Sequence, residues 1–233
     1  MALEYELMIE MLAPKLSINY SNRFGGVLPF SLANLSTTTT VIAIGSNQIS
    51  GTIPDGIANL VNLYALGLEF NQLAGTIPRA IVLLDLSDNL LSGHFPAEVG
   101  NLKHLVSLDI SNNMFSGEIP TTLGGCTSLE HLSMQDNSFT GSIPSTLSSL
   151  KSITELDLSR NNLSGHIPQY LENLSFLSFL NLSYNHFEGK VPIESIFNST
   201  KGISLVGNEN LCGGLDELHH VLPQDRENQN SVS

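Results

Sequence analysis

LVSLDISNNMFSGEIPTTLGGCTS, residues 105–128, is the stretch whose reading decides the fold. Leu108 and Ile110 alternate with polar residues just before Asn113, and period-two alternation marks a short half-buried strand. Asn113 opens the string NMFSGEIP (113–120), in which a Gly and a Pro stand at fixed distances from the Asn. A spaced apolar series, Leu123, Cys126 and Leu129, follows.

The same pattern recurs along the chain. NQISGTIP (47–54), NQLAGTIP (71–78), NLLSGHFP (89–96), NSFTGSIP (137–144), NNLSGHIP (161–168) and NHFEGKVP (185–192) repeat it, with a fainter NRFGGVLP at 22–29. From Asn22 to Asn185 the leading asparagines are separated by 25, 24, 18, 24, 24, 24 and 24 residues. Such self-similarity identifies a stacked repeat. One unit cannot bury its own leucines, whereas stacked units form a continuous Leu ladder.

The fixed polar residues have structural roles in this reading. The Asn turns inward, where its amide offers donors and an acceptor to the backbone of neighbouring coils. The Gly permits a positive-φ turn. The Pro fixes φ at the close of a short extended segment.

The unit L-x-x-L-x-L-x-x-N-x-L-x-G-x-I-P resembles the plant-specific class of leucine-rich repeats, closely over 16–192 and through Cys212. FNSTKGISLVGNENLCGG (197–214) looks like the segment that ends the ectodomain of plant leucine-rich-repeat receptor-like Ser/Thr kinases, nearest to the immune pattern-recognition group. The resemblance implies an α/β horseshoe solenoid, with a parallel β-sheet on the concave face and short 3-10 or irregular convex segments. It also implies an extracellular, membrane-held glycoprotein that binds a peptide or protein ligand in plant defence. A leucine-rich-repeat kinase as co-receptor is implied in the same way. The alternatives are a secreted inhibitor or decoy and a non-functional truncated receptor product.

The expected organisation is an atypical N-terminal segment (1–15) and a repeat array (16–192) of about seven or eight units. A capping segment (193–214) and a polar tail (215–233) follow. Four departures from the pattern stand out. The interval of 18 between Asn71 and Asn89 predicts a coil that has lost a convex segment. Leu16 and Ile18 stand one residue too far from Asn22 to support a strand by this pattern. The N-terminal cysteine cap of the family is missing, and Cys212 lacks its usual partner. Solenoids need capped ends, so the sequence predicts poor stability in isolation.

Composition narrows the function. The chain has 233 residues and a formal charge of −13, from 22 acidic against 9 basic residues, which disfavours nucleic acid. Acids interrupt the first apolar run, so it does not read as a secretory signal, and no stretch approaches a membrane span. A membrane link is therefore expected only through a missing C-terminal span. Protein-kinase motif strings are absent, as are catalytic constellations and zinc-ligand spacing, so neither enzyme activity, a metal nor a cofactor is expected. Cys126 fills a core slot that other repeats give to Leu102 or Leu150.

The outward positions beside each L-x-L pair form a candidate ligand strip. Eight acids (Glu69, Asp85, Asp88, Asp109, Glu130, Asp136, Glu155 and Asp157) face one base, Arg160, which suits a basic or polar peptide. L-D-L-S is the ordinary filling, so Asp85, Asp109 and Asp157 are as well explained by solubility. The residues that depart from it are Tyr64, Glu69, Phe70, His131, Gln135, Asp136, Arg160 and Tyr184, and these are the candidate ligand contacts. Sequons place N-glycans at Asn19, Asn34, Asn162, Asn173, Asn181 and Asn198. A glycan on Asn181 would lie on the ligand strip, so either that coil is not a central contact or that sequon is unused.

Overall fold

The computed structural model describes residues 15–17, 23–35, 38–60, 62–74, 83–198 and 201–213. Within them the chain winds as a solenoid with two parallel ladders of strands. The longer ladder holds nine strands: β1 (Lys15–Ser17), β3 (Val41–Ala43), β5 (Ala65–Gly67), β7 (Leu83–Asp85), β9 (Ser107–Asp109), β11 (His131–Ser133), β13 (Glu155–Asp157), β15 (Phe179–Asn181) and β17 (Ile203–Ser204). From β3 to β15 each contributes one buried central residue between two outward ones, such as Leu108 between Ser107 and Asp109. At roughly 4.8 Å per strand the ladder extends about 38 Å.

The second ladder is built from the N-x-x-x-G segments. It comprises β2 (Gly25–Val27), β4 (Gln48–Thr52) and β6 (Gln72–Ala74), then β8 (Ser92–His94), β10 (Met114–Glu118), β12 (Ser138–Gly141), β14 (Asn162–His166), β16 (His186–Lys190) and β18 (Asn210–Cys212). Among the described residues it divides into three and six strands between β6 and β8, at the 18-residue interval. The lost convex segment expected there falls at 75–82, outside the described residues.

After six strands of the second ladder a Pro leads into a short 3-10 turn, as Pro120 leads into Thr121–Gly125 and Pro144 into Ser145–Ser149. A seventh 3-10 turn, Ser195–Asn198, begins three residues after Pro192, and no α-helix occurs among the described residues. None of these helices is long and apolar enough to cross a membrane.

A ladder of asparagine amides fixes the coils. The Asn137 amide donates to Ile110 O of the preceding coil and to Met134 O and Gln135 O of its own, at 2.9–3.3 Å. Its Oδ1 accepts the Phe115 N–H at 2.9 Å. Asn71, Asn89, Asn113, Asn161 and Asn185 bond in the same manner, and Asn47 donates to Ile44 O and Gly45 O of its own coil and accepts the Phe24 N–H. Asn208 continues the series through Leu182 O and the Phe187 N–H, one coil beyond the last repeated string. Phe95, Phe115 and Phe139 form an aromatic spine behind it, with centroids 5.5 and 6.3 Å apart in successive pairs.

Cys126 is fully buried and donates to Val99 O, and burial pushes its thiol up to about 11. One expectation is corrected. A strand does form at Lys15–Ser17, in register with Val41–Ala43, so Leu16 stands opposite Ile42. Pairing with the next coil sets that strand, whatever its distance from Asn22.

Candidate ligand-binding face

Register turns the outward positions of the longer ladder into columns. One column runs Val41, Ala65, Leu83, Ser107, His131, Glu155 and Phe179, and another runs Ala43, Gly67, Asp85, Asp109, Ser133, Asp157 and Asn181. A third, just past the strands, runs Ser46, Phe70, Asp88, Asn112, Asp136, Arg160 and Tyr184. All seven of these last residues have φ between 51 and 57°. Asn and Asp adopt this left-handed conformation readily, whereas Phe, Arg and Tyr do so at a cost of roughly 1 kcal/mol. Phe70, Arg160 and Tyr184 therefore stand at the rim of this face against local preference.

The C-terminal half of the face is internally paired. The Arg160 guanidinium lies 4.6 Å from the Tyr184 ring centroid, and its Nε is 4.0 Å from Asp136 Oδ1. His131 Nδ1 lies 3.2 Å from Glu155 Oε2. Asp157 accepts from the Ser159 N–H and hydroxyl on Oδ1, and its Oδ2 accepts from the Asn181 amide. Asn181 donates also to Ser159 Oγ and accepts from Ser183. Gln135 has a buried Oε1 without a partner.

The N-terminal half is different. Tyr64 and Phe70 are 50% and 56% exposed on the coil that carries β5. Between them Glu69 folds its carboxyl back over Gly45 and Gly67, where a Cβ on Gly45 would overlap it. Desolvation by burial raises the Glu69 carboxyl above its ordinary range, its own backbone N–H opposes the shift, and Asp85 adds to it. Burial likewise raises Asp109, against the opposing bonds from Ser111. Asp136 is raised by burial and lowered by Arg160.

The eight candidate contacts thus fall into two groups. Tyr64, Glu69 and Phe70 surround β5, while His131, Gln135, Asp136, Arg160 and Tyr184 lie around β11 to β15, three or more strands away. Between the groups, Asp85 and Asp109 line a depression that the repeat's ordinary filling had masked. The sequence signal for it is the small residues Ala43, Ala65 and Gly67 stacked beside acids. Of the sequons, Asn34, Asn162, Asn173 and Asn198 are exposed and off this face, whereas Asn181 is half-buried on it. Asn19 lies outside the described residues. No group of His, Cys, Asp or Glu among the described residues could hold a metal ion.

Comparison with known proteins bears on the repeat and on its setting. A family model described as leucine rich repeat matches residues 128–187, and a second of that description matches 80–102 and 104–126. The LRR receptor-like serine/threonine-protein kinase EFR of Arabidopsis thaliana is 59% identical over 54 residues, 23% of this chain and 5% of that protein. The receptor kinase-like protein Xa21 of Oryza sativa subsp. japonica is 49% identical over 47 residues, 20% of this chain and 4% of its own. The matched stretches are thus about one twentieth of these relatives. The structure of the Arabidopsis receptor kinase HAESA with the peptide hormone IDA and the co-receptor SERK1 superposes with a TM-score of 0.77. It is 30% identical, covering 89% of this chain and 39% of that one.

Proposed function

The chain is a leucine-rich-repeat solenoid homologous to plant leucine-rich-repeat receptor kinases, and from that premise we propose that its concave face recognises a peptide or protein ligand for such a receptor. The observation that carries this reading is the rim of Phe70, Arg160 and Tyr184. Three large side chains hold an unfavourable backbone conformation and display aromatic and guanidinium surface on a face that otherwise needs only small polar residues. Trp, Tyr and Arg are enriched where binding energy concentrates. The fold neighbour HAESA, which binds a peptide hormone, supports the same reading.

The wider setting is part of the proposal. A plasma-membrane receptor with this solenoid outside the cell, a co-receptor kinase as second partner and a role in defence fit the relatives EFR and Xa21. In the glycoprotein so envisaged, Asn34, Asn162, Asn173 and Asn198 bear glycans away from the concave face.

Replacing Phe70, Arg160 and Tyr184 together by Ala tests the reading. Ligand binding should fall by two orders of magnitude or more if each contributes about 1–2 kcal/mol. Binding unchanged by the triple substitution overturns the assignment. Sequencing the transcript in frame tests the receptor setting. Continuation into a hydrophobic span and kinase supports it, and a product without them favours a secreted inhibitor or a truncated product.

A further inference from the structure

We propose that the depression over β3, β5, β7 and β9 holds the side chain of a lysine or arginine from the peptide ligand. This rests on the concave-face reading above and names the chemistry that one part of the face selects. The depression encloses about 370 Å³. Val41, Ala65 and Leu83 give it an apolar side, suited to the methylene stem of a long basic residue. Glu69, Asp85 and Asp109 give it carboxylates on three successive coils, suited to the charged head.

The contrast between the two halves of the face carries the argument. In the C-terminal half the carboxylates on the strands and at the rim, Glu155, Asp136 and Asp157, have partners within the chain in His131, Arg160 and Asn181, and Glu130, just before β11, stands exposed. In the depression, Asp85 and Asp109 use Oδ1 for Ser87 and Ser111, and neither has a cation or amide on Oδ2 among the described residues. Glu69 is held over Gly45 and Gly67 with no cation at all among those residues. Burial raises the proton affinity of Glu69 and Asp109 and the Asp85 charge adds to both, an incomplete arrangement that a cation from outside completes. The acids are spread along the ladder rather than gathered round one point, and they do not form a metal site. A long organic cation lying along an apolar wall fits that spacing, and charge-assisted bonds to Asp85 and Asp109 would fix its end.

The test uses two synthetic probes, acetyl-Gly-Ala-Arg-Ala-Gly-amide and the same peptide with citrulline, which keeps the shape of arginine and removes its charge. Each is titrated to millimolar concentration into the full 233-residue chain, followed by amide NMR shifts. The arginine peptide should perturb Gly67, Asp85 and Asp109, and bind about tenfold more tightly than the citrulline peptide. The double variant D85N/D109N should remove that preference, while E118Q/E188Q, a matched loss of two charges on β10 and β16 away from this face, should leave it intact. Asn181 already plays the Asp role towards Ser183, so an amide is compatible with this backbone. If the double variant does not fold, the arginine-to-citrulline comparison on the unchanged chain decides alone. Equal binding of both peptides, with shifts elsewhere on the concave face, overturns the basic-side-chain assignment and leaves the peptide-binding reading standing. No shift on the concave face with either probe overturns the assignment as well, and counts against the peptide-binding reading too.

Discussion

Arg160 stacks on Tyr184 across two consecutive coils, with the guanidinium carbon 4.6 Å from the ring centroid and Asp136 on its other side. This ladder preorganises the rim, because an anchored guanidinium loses less freedom when a ligand arrives. A double-mutant cycle with Arg160→Ala and Tyr184→Ala, read by denaturant unfolding, should give a coupling of about 0.5–1 kcal/mol. Strict additivity would mean that the two side chains do not support one another in solution.

Asn137 serves four backbone groups on two coils; Ala in its place removes all four bonds and strands the Phe115 N–H, while Ile110 O, Met134 O and Gln135 O keep bonds from Asn113, Asn161 and the Asn112 N–H. The expected loss for Asn137→Ala is on the order of 3 kcal/mol. Ser138→Ala, on the exposed neighbour, should change stability by less than about 0.5 kcal/mol. Similar denaturation midpoints for the two variants would contradict the ladder.

The repeat, its asparagines and its concave strand face were legible in the sequence because each recurs at fixed spacing. Asn208 was missed because no G-x-I-P string follows it, and only the bonds to Leu182 and Phe187 reveal its place. The strand at Lys15–Ser17 was missed because spacing within one coil was the guide, whereas pairing with Val41–Ala43 forms it. The pairing of the face lay further out of reach. The strings L-D-L-S at Asp85 and Asp157 and L-D-I-S at Asp109 read alike, and only the neighbouring coil distinguishes them. Asn181 stands beside Asp157, while Asp85 and Asp109 stand beside one another.

Glu69, Asp109 and Asp136 all have carboxyls raised chiefly by burial. A carboxyl raised in the folded state favours folding most below its unfolded pKa, about 4, and that contribution is lost as pH rises through the folded value. These three groups therefore make the melting temperature fall as pH climbs above about 4 through their raised values. Asp109→Asn should flatten that slope while keeping the bonds from Ser111. A slope unchanged by Asp109→Asn would remove Asp109 as a source.

The Asn181 amide nitrogen, where a glycan would attach, donates to Asp157 and Ser159. Expressed through a secretory pathway, the chain should carry glycans at Asn162 and Asn173 and none at Asn181, as read by glycopeptide mass spectrometry. High occupancy at Asn181 would show that this hydrogen-bond pair opens before the coil closes, and would place a sugar on the proposed ligand face.

The most direct test of the concave-face reading is selection of a displayed random-peptide library on the full chain, with every enriched peptide measured in parallel against the F70A/R160A/Y184A variant. The account predicts enriched peptides whose affinity drops at least tenfold on the variant while its melting temperature holds, the loss of even one anchor being worth about that much. Peptides that bind both proteins equally, and protect amides of the second ladder from exchange, would contradict it.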